Sequence, residues 1–439
     1  MLSNKVWQCP AGNFSGWETQ YCIHVTGIRY AKAARFGNPE PFVYSSGVHK
    51  CLQPSPFGLQ LFSRFDSNTF GMHYTDVFQT EECQFLSITM PKSVKTDSNL
   101  PVMVWFHGGG YRNGGCDARY NDFEPLAANE NVIVVGVNYR LSVSGFIRNR
   151  QGELANCGLL DAIEGLRWVK NNIQGFGGNP DKITIFGESS GADLVRAIML
   201  SKGTDDLYKR AIIQSDPIGT MNNRNFLEER FLDVADKISL DAPAEKLLEV
   251  QDFLTNNIPI KGLAKLMIFA PHYGVYPLPS SKNIDDRLKQ VAQNHDLLIG
   301  TNKREAATYI GYRPMASLAD TLKWTKKPLE KVISKFTEVV FTRPTQELAK
   351  KYSSFGGKVY LYNFYWMADQ SVIGSGHAMD LLPLFGAKNL KGMYVTMGKT
   401  VQQIYDAGKP MRKAWGDFAK NGLIHTKSIA GMIDFNKLG

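Results

Sequence analysis

A chain of 439 residues, 43% apolar and 21% charged, holds enough hydrophobic material for a large packed core and is neither fibrous nor disordered in composition. Its formal charge of +9 comes from scattered Lys and Arg; the densest run, Lys323-Trp324-Thr325-Lys326-Lys327, falls short of the stripe that nucleic acid requires, so no nucleic-acid partner is expected. No stretch reaches the roughly 18 apolar residues of a membrane span, and the first residues carry no charged-then-apolar secretion signal, so a cytoplasmic chain without a membrane partner is expected.

Residues 4–90 read as a strand-rich region and 91–225 as a doubly wound core. Within that core Pro101-Val102-Met103-Val104-Trp105-Phe106 is a buried apolar strand that runs directly into His107-Gly108-Gly109-Gly110-Tyr111. Three glycines at a strand end let backbone N–H groups approach a substrate oxygen closely. A phosphate cradle would need Lys-Ser/Thr after the glycines and a long helix opening there, and neither is present.

The apolar strand Ile183-Thr184-Ile185-Phe186 leads into Gly187-Glu188-Ser189-Ser190-Gly191, and a helical pattern starts near Ala192. Strand, sharp turn and helix with a serine at the tip is the geometry that exposes a nucleophilic hydroxyl. Ser189 is therefore the expected nucleophile, and the N–H groups of Gly109, Gly110 and Ser190 are the expected donors to an oxyanion.

Residues 226–290 read as a helical insertion, with helix-like apolar spacing from Asn225 to Leu254. Beyond it lies the strand Leu297-Leu298-Ile299-Gly300-Thr301. On such elbows the order along the chain is nucleophile, acid, histidine, so the base is one of His272, His295, His377 and His425. Asp296 precedes the strand and would sit at the wrong edge of the sheet; Glu305 leaves its carboxyl end and is the better acid. Past Glu305 only His377 and His425 remain. A second set of helices is expected over 313–355, then the strand Val359–Tyr365, whose exit leads to Gly374-Ser375-Gly376-His377. His425 falls in a polar tail after the helical pattern Ala414–Ala419, where a solvated histidine is the default. His377 is thus the expected base and Glu305 the group that orients it. Because these residues span Ser189 to His377, one catalytic domain over residues 1–439 is expected.

The six cysteines show no C-x-x-C and no zinc-type Cys/His spacing, so no metal site is expected.

Several stretches now resemble one family, the type-B carboxylesterases, which include p-nitrobenzyl-type esterases, liver carboxylesterases and cholinesterases. Gly27-Ile28-Arg29-Tyr30-Ala31 is similar to its "GIPYA" motif, and Glu81-Glu82-Cys83-Gln84-Phe85-Leu86-Ser87-Ile88 to its "EDCLxLNI" signature. Val137-Asn138-Tyr139-Arg140-Leu141 with Gly145-Phe146 resembles "VNYRLGxxGF", and the run from Gly158 through Asn179-Pro180 to the elbow is close to consensus. The loops at Gly300–Glu305 and at His377, Asp380-Leu381 and Phe385-Gly386 resemble the family's acid and histidine loops. The resemblance implies an α/β-hydrolase fold, with a mostly parallel sheet flanked by helices and helical insertions roofing the site. It also implies a Ser189–Glu305–His377 triad, a small-molecule ester substrate and no cofactor. Carbamates, amides or lactones are the alternative substrates, and a non-catalytic binding protein of the same fold is the alternative class. Three departures stand out: Ser190 replaces the usual alanine, and Arg304 and Ala306 replace the usual acidic and glycine neighbours of the acid. Cys51 and Cys83 sit at positions similar to a disulfide pair of secreted members, which a reducing cytosol would keep as thiols.

Overall fold

The apolar runs form the middle of one 13-stranded sheet. The computed structural model describes residues 2–61, 67, 69, 77–147, 156–221, 224–235, 237–257, 267–310, 326–367 and 373–439. The basic run at Lys323-Trp324-Thr325 and parts of both expected insertions, 258–266 and 313–325, lie outside them. In chain order the strands of the sheet are β1 (Leu2–Cys9), β2 (Gly12–Glu18), β3 (Cys22–Arg29), β4 (Val48–Lys50), β5 (Phe85–Pro91), β6 (Leu100–Phe106), β7 (Ile133–Val137), β8 (Gly178–Glu188), β9 (Arg210–Gln214), β10 (Asp296–Asn302), β11 (Val359–Phe364), β12 (Ser428–Ile429) and β13 (Ile433–Leu438). Their spatial order is β1-β2-β3-β5-β7-β6-β8-β9-β10-β11-β13-β12, with β4 beside β2. The neighbours from β7 to β11 pair in parallel, whereas the flanks are antiparallel except for β4, which runs parallel to β2.

Central parallel strands are covered on both faces and so read as continuous apolar runs. Alternate residues then enter opposite cores: Val102, Val104 and Phe106 join one buried cluster, and Met103 and Trp105 the other. The register across β6 and β8 sets Trp105 opposite Phe186, with ring centroids 4.8 Å apart. Helix α1 (Cys157–Asn172) lies on the first core's side, where Leu159, Leu166 and Val169 are buried. It carries Asp161, which clasps Arg140 through two contacts of 2.7 Å, both side chains almost fully buried.

Helix α2 (Ser190–Leu200) starts directly after the nucleophile position, two residues earlier than the apolar pattern suggests. The helical spacing over 225–254 is split into α3 (Asn225–Ala235) and α4 (Ala244–Asn256). Pro243 stands just before α4, and proline disfavours helical geometry in the residue preceding it. Farther on come α5 (Lys326–Thr337), a π-helical turn (Glu338–Thr342) and α6 (Arg343–Ser354). Helix α7 (Val401–Asn421) begins well before the Ala414–Ala419 pattern, at a capping box formed by Thr400 and Gln403. All six cysteines are unpaired, Cys51 and Cys83 included. Among the described residues no helix is long and apolar enough to cross a membrane, and no group of three or more His, Cys, Asp or Glu side chains is placed to hold a metal.

Candidate active site

The parallel strands all end on one edge of the sheet, and in open α/β sheets that carboxyl edge is where ligands bind. β8 ends at Glu188, β10 at Asn302 and β11 at Phe364, and the loops that follow converge. Ser189 caps α2 with φ 59° and ψ −126°, a strained conformation for a residue with a side chain. Its N–H bonds the Gln214 carbonyl at 2.9 Å, and its own carbonyl receives the N–H groups of Ala192 and Asp193. The turn is tight enough that a Cβ on Gly191 would collide with the Phe106 carbonyl oxygen at the end of β6.

The structure brings His377 and Glu305 to this serine. Ser189 Oγ lies 2.7 Å from His377 Nε2, and His377 Nδ1 lies 2.6 Å from Glu305 Oε2. The other carboxylate oxygen, Oε1, accepts from the Asn302 N–H at 2.7 Å. The acid and histidine loops are also laced by backbone: His377 N–H donates to the Glu305 carbonyl at 3.1 Å, and Arg304 N–H to that of Ser375 at 3.1 Å. Thr308 Oγ1 and Asn302 Nδ2 hold the carbonyls of His377 and Gly376. Of the two departures beside Glu305, Arg304 has a side-chain partner and Ala306 contributes a backbone contact that glycine would make equally. Arg304 forms an ion pair with Glu330 on α5, and Ala306 N–H donates to Thr337 Oγ1 at 3.2 Å, so both tie the acid loop to the wall above it.

The other candidates are elsewhere. Asp296 begins β10, about 20 Å from its far end at ~3.3 Å per residue, and pairs with Arg210 at 3.2 Å. His272 Nε2 contacts the Phe146 carbonyl, His295 stacks on Tyr208, and His425 is exposed.

Gly108, Gly109 and Gly110 line the same cleft as Ser189. Gly109 has φ 118° and its carbonyl is taken by the N–H groups of Arg112 and Asn113. A Cβ there would strike the Asn113 carbonyl oxygen, so only glycine fits. Ser190, at the alanine position, uses its hydroxyl as an acceptor for Tyr111 N–H at 3.2 Å, tying the glycine loop to the elbow. The cleft encloses about 240 Å³, and its wall is mostly apolar. Phe336, Val340 and Phe341 come from α5 and the π-helical turn, Met267 from the earlier insertion.

Residue reading overlooked Glu188, the variable second position of the elbow. It is buried, and its Oε1 stands 3.2 Å from His377 Nε2. Burial pushes Glu188 up to about 8, although His377 pulls the other way. Burial works against a charged His377 too, but the carboxylates of Glu188 and Glu305 outweigh it and push the imidazole up to about 9. The adjacency of Glu188 to the serine was the available signal. Asp380, also fully buried and pushed up by burial, accepts from Gln214 Nε2 at 2.6 Å and Asn302 Nδ2 at 3.2 Å.

A mixed sheet with its loops gathered at the carboxyl edge, and a serine on a strand–turn–helix elbow, defines an α/β-hydrolase. Comparison with known proteins agrees and narrows the class. Residues 6–320 match the carboxylesterase family. A probable N-octanoylanthranilate hydrolase of Rhodococcus erythropolis is 29% identical over 94% of this chain and 92% of that relative. The para-nitrobenzyl esterase of Bacillus subtilis (strain 168) is 29% identical over 92% of this chain and 87% of its own. A solved PNB esterase structure superposes with a TM-score of 0.81 at 26% identity, covering 99% of this chain and 97% of that one. The chain belongs to the carboxylesterase family and is a carboxylic ester hydrolase.

Proposed function

We propose that Ser189 attacks the ester carbonyl while His377 takes its proton through Nε2, and that Glu305 holds the ring through Nδ1 and offsets the imidazolium charge. The N–H groups of Gly109, Gly110 and Ser190 receive the oxyanion. Collapse of the tetrahedral intermediate expels the alcohol, which takes the proton from His377 and leaves the acyl group on Ser189. A water that His377 deprotonates then attacks the acyl carbon, and as the C–Oγ bond breaks His377 returns the proton to Ser189 Oγ and the acid leaves. The cycle needs no cofactor. The observation that carries this reading is the unbroken chain of two short contacts, 2.7 Å from Oγ to Nε2 and 2.6 Å from Nδ1 to Oε2.

The chain is proposed to work as one catalytic domain, because β1 and β13 come from opposite ends of the sequence and belong to the same sheet. A cytoplasmic location goes with it, since six unpaired thiols suit a reducing compartment. Amide hydrolysis is a second reading, supported by the likeness to a probable N-octanoylanthranilate hydrolase, whose named substrate is an N-acyl amide.

Ser189→Ala tests the assignment. The variant should lose about 10⁴-fold or more of kcat on a p-nitrophenyl ester and should no longer be labelled by a serine-directed fluorophosphonate. Retention of more than about a thousandth of the wild-type kcat would mean that another residue is the nucleophile.

A further inference from the structure

Arg112 is a cleft residue to which the hydrolytic cycle gives no task. It stands two residues beyond Gly110, and its main chain is held on both sides: its N–H donates to the Gly109 carbonyl at 3.1 Å, and its carbonyl accepts from Gln251 Nε2 at 3.3 Å. The side chain lines the same cleft as Ser189 and His377. Its Nε lies 3.7 Å from where a Cβ on Gly110 would stand, which sets the guanidinium beside the glycine loop.

That Nε is buried and has no hydrogen-bond partner, and among the described residues no carboxylate pairs with the guanidinium. Other sheltered arginines have their donors taken: Arg35, Arg140, Arg196 and Arg210 each hold a carboxylate, and Arg412 donates to the carbonyls of Pro383 and Tyr405 and to Asn129 Oδ1. Arg112 is half-buried, so its guanidinium faces a cleft of reduced dielectric without a counter-ion of its own, and a ligand anion bound there would pair with it more strongly than in open water. The apolar wall made by Met267, Phe336 and Phe341 strengthens such a pairing, because it lowers the local dielectric. The overall charge of +9 acts in the same direction by drawing anions toward the molecule.

We propose that the substrate is an ester carrying an anionic group, in the simplest case a carboxylate, and that Arg112 binds it. The inference rests on the Ser189–His377–Glu305 reading for its chemistry and adds a specificity-determining residue. A planar carboxylate matches the fork of the guanidinium, so two parallel N–H bonds can fix the substrate's orientation. The acid can be borne by the leaving alcohol or by the acyl chain, and the experiment separates the two.

Two matched pairs of esters are compared by kcat/KM: 3-carboxyphenyl against 3-carbamoylphenyl butyrate, and monophenyl adipate against its neutral adipamate. In at least one pair the wild-type enzyme should favour the anionic member, relative to Arg112→Met, by about ten- to a hundredfold, the range of a hydrogen bond to a charged group. The preference should weaken with added salt, and Arg112→Lys should keep part of it. Should Arg112→Met fold poorly, the wild-type ratios and their salt dependence decide alone. If neither pair shows a preference, or if Arg112→Met slows both members equally, the proposal is wrong. Turnover of the neutral esters would then still leave the serine mechanism standing, whereas no turnover of any ester would remove both.

Discussion

Glu188→Gln keeps the shape of the elbow and deletes one of the two carboxylates that face His377. Glu188 Oε1 is 3.2 Å from Nε2 and Glu305 Oε2 is 2.6 Å from Nδ1. Two unit charges at 3.2 Å attract by about 5 kcal/mol at an effective dielectric of ~20. The working figure is smaller, because burial pushes Glu188 up to about 8 and it carries a proton part of the time. Even a quarter of that attraction, about 1.3 kcal/mol, corresponds to about one pH unit. The sign follows from the role of the base. His377 works when neutral, and the raised value of about 9 means that activity is lost as pH falls through that region. Removing Glu188 lowers the pKa, so the variant should retain its own plateau rate down to a pH lower by about one unit or more. The assay is kcat/KM on a neutral ester from about pH 5 to 10, followed by proton release in a pH-stat. An unmoved limb, or one that moves upward, would show that the Glu188 carboxylate does not act on His377.

Three further expectations concern single contacts. Glu305→Gln should lower kcat by about 10⁴, the loss known for an acid-to-amide change in a serine-protease triad. Asp296→Asn, at the other end of β10 and paired with Arg210, should stay within about threefold of wild type in the same steady-state assay, because about 20 Å of strand at ~3.3 Å per residue separates it from the acid loop. Arg140→Met should cost about 3–5 kcal/mol in denaturant unfolding, because it strands the buried Asp161 carboxylate; a loss under about 1 kcal/mol would mean that the pair is not buried as seen.

The parts of the site that were legible in the sequence are those where backbone geometry dictates residue type. Gly191 and Gly109 cannot carry a Cβ, so the elbow and the glycine loop are written in glycines. Glu305 and His377 follow strand ends, and strand ends can be found from apolar runs. What was not legible depends on packing between distant segments. Glu188 occupies a position that the turn leaves free, and its effect on His377 arises only when two loops far apart in the chain meet. Helical spacing over 225–254 could not show which insertion covers the serine; Phe336, Val340 and Phe341 of the later insertion line the cleft beside Met267 of the earlier one. The early start of α7 is marked by Thr400 and Gln403, a capping pair that carries no apolar periodicity.

Beneath the triad, one donor-only group fixes the direction of a whole chain of hydrogen bonds. The indole N–H of Trp415 can only donate, and it donates to Gln214 Oε1 at 3.2 Å. Gln214 must therefore turn its amide nitrogen the other way, toward Asp380 Oδ2 at 2.6 Å. Asn302 is fixed independently, since its Nδ2 donates to the Gly376 carbonyl at 2.7 Å and also reaches Asp380 Oδ1 at 3.2 Å. Asp380 thus receives donors on both oxygens, which a carboxyl group can accept and an amide cannot. Asp380→Asn would set an amide N–H₂ against one of those donors, and neither neighbour can rotate without stranding Trp415 or Gly376. The substitution should destabilise the fold by about 1–3 kcal/mol, the cost of a buried polar group left unpaired. It should also lower kcat, because Asn302 is the residue whose N–H holds Glu305. Asp380→Asn is isosteric and removes a charge whose burial is unfavourable, so a purely electrostatic view predicts the opposite sign. Denaturant unfolding of the variant beside wild type separates them: a gain in stability would mean that the donors are not oriented as Trp415 requires.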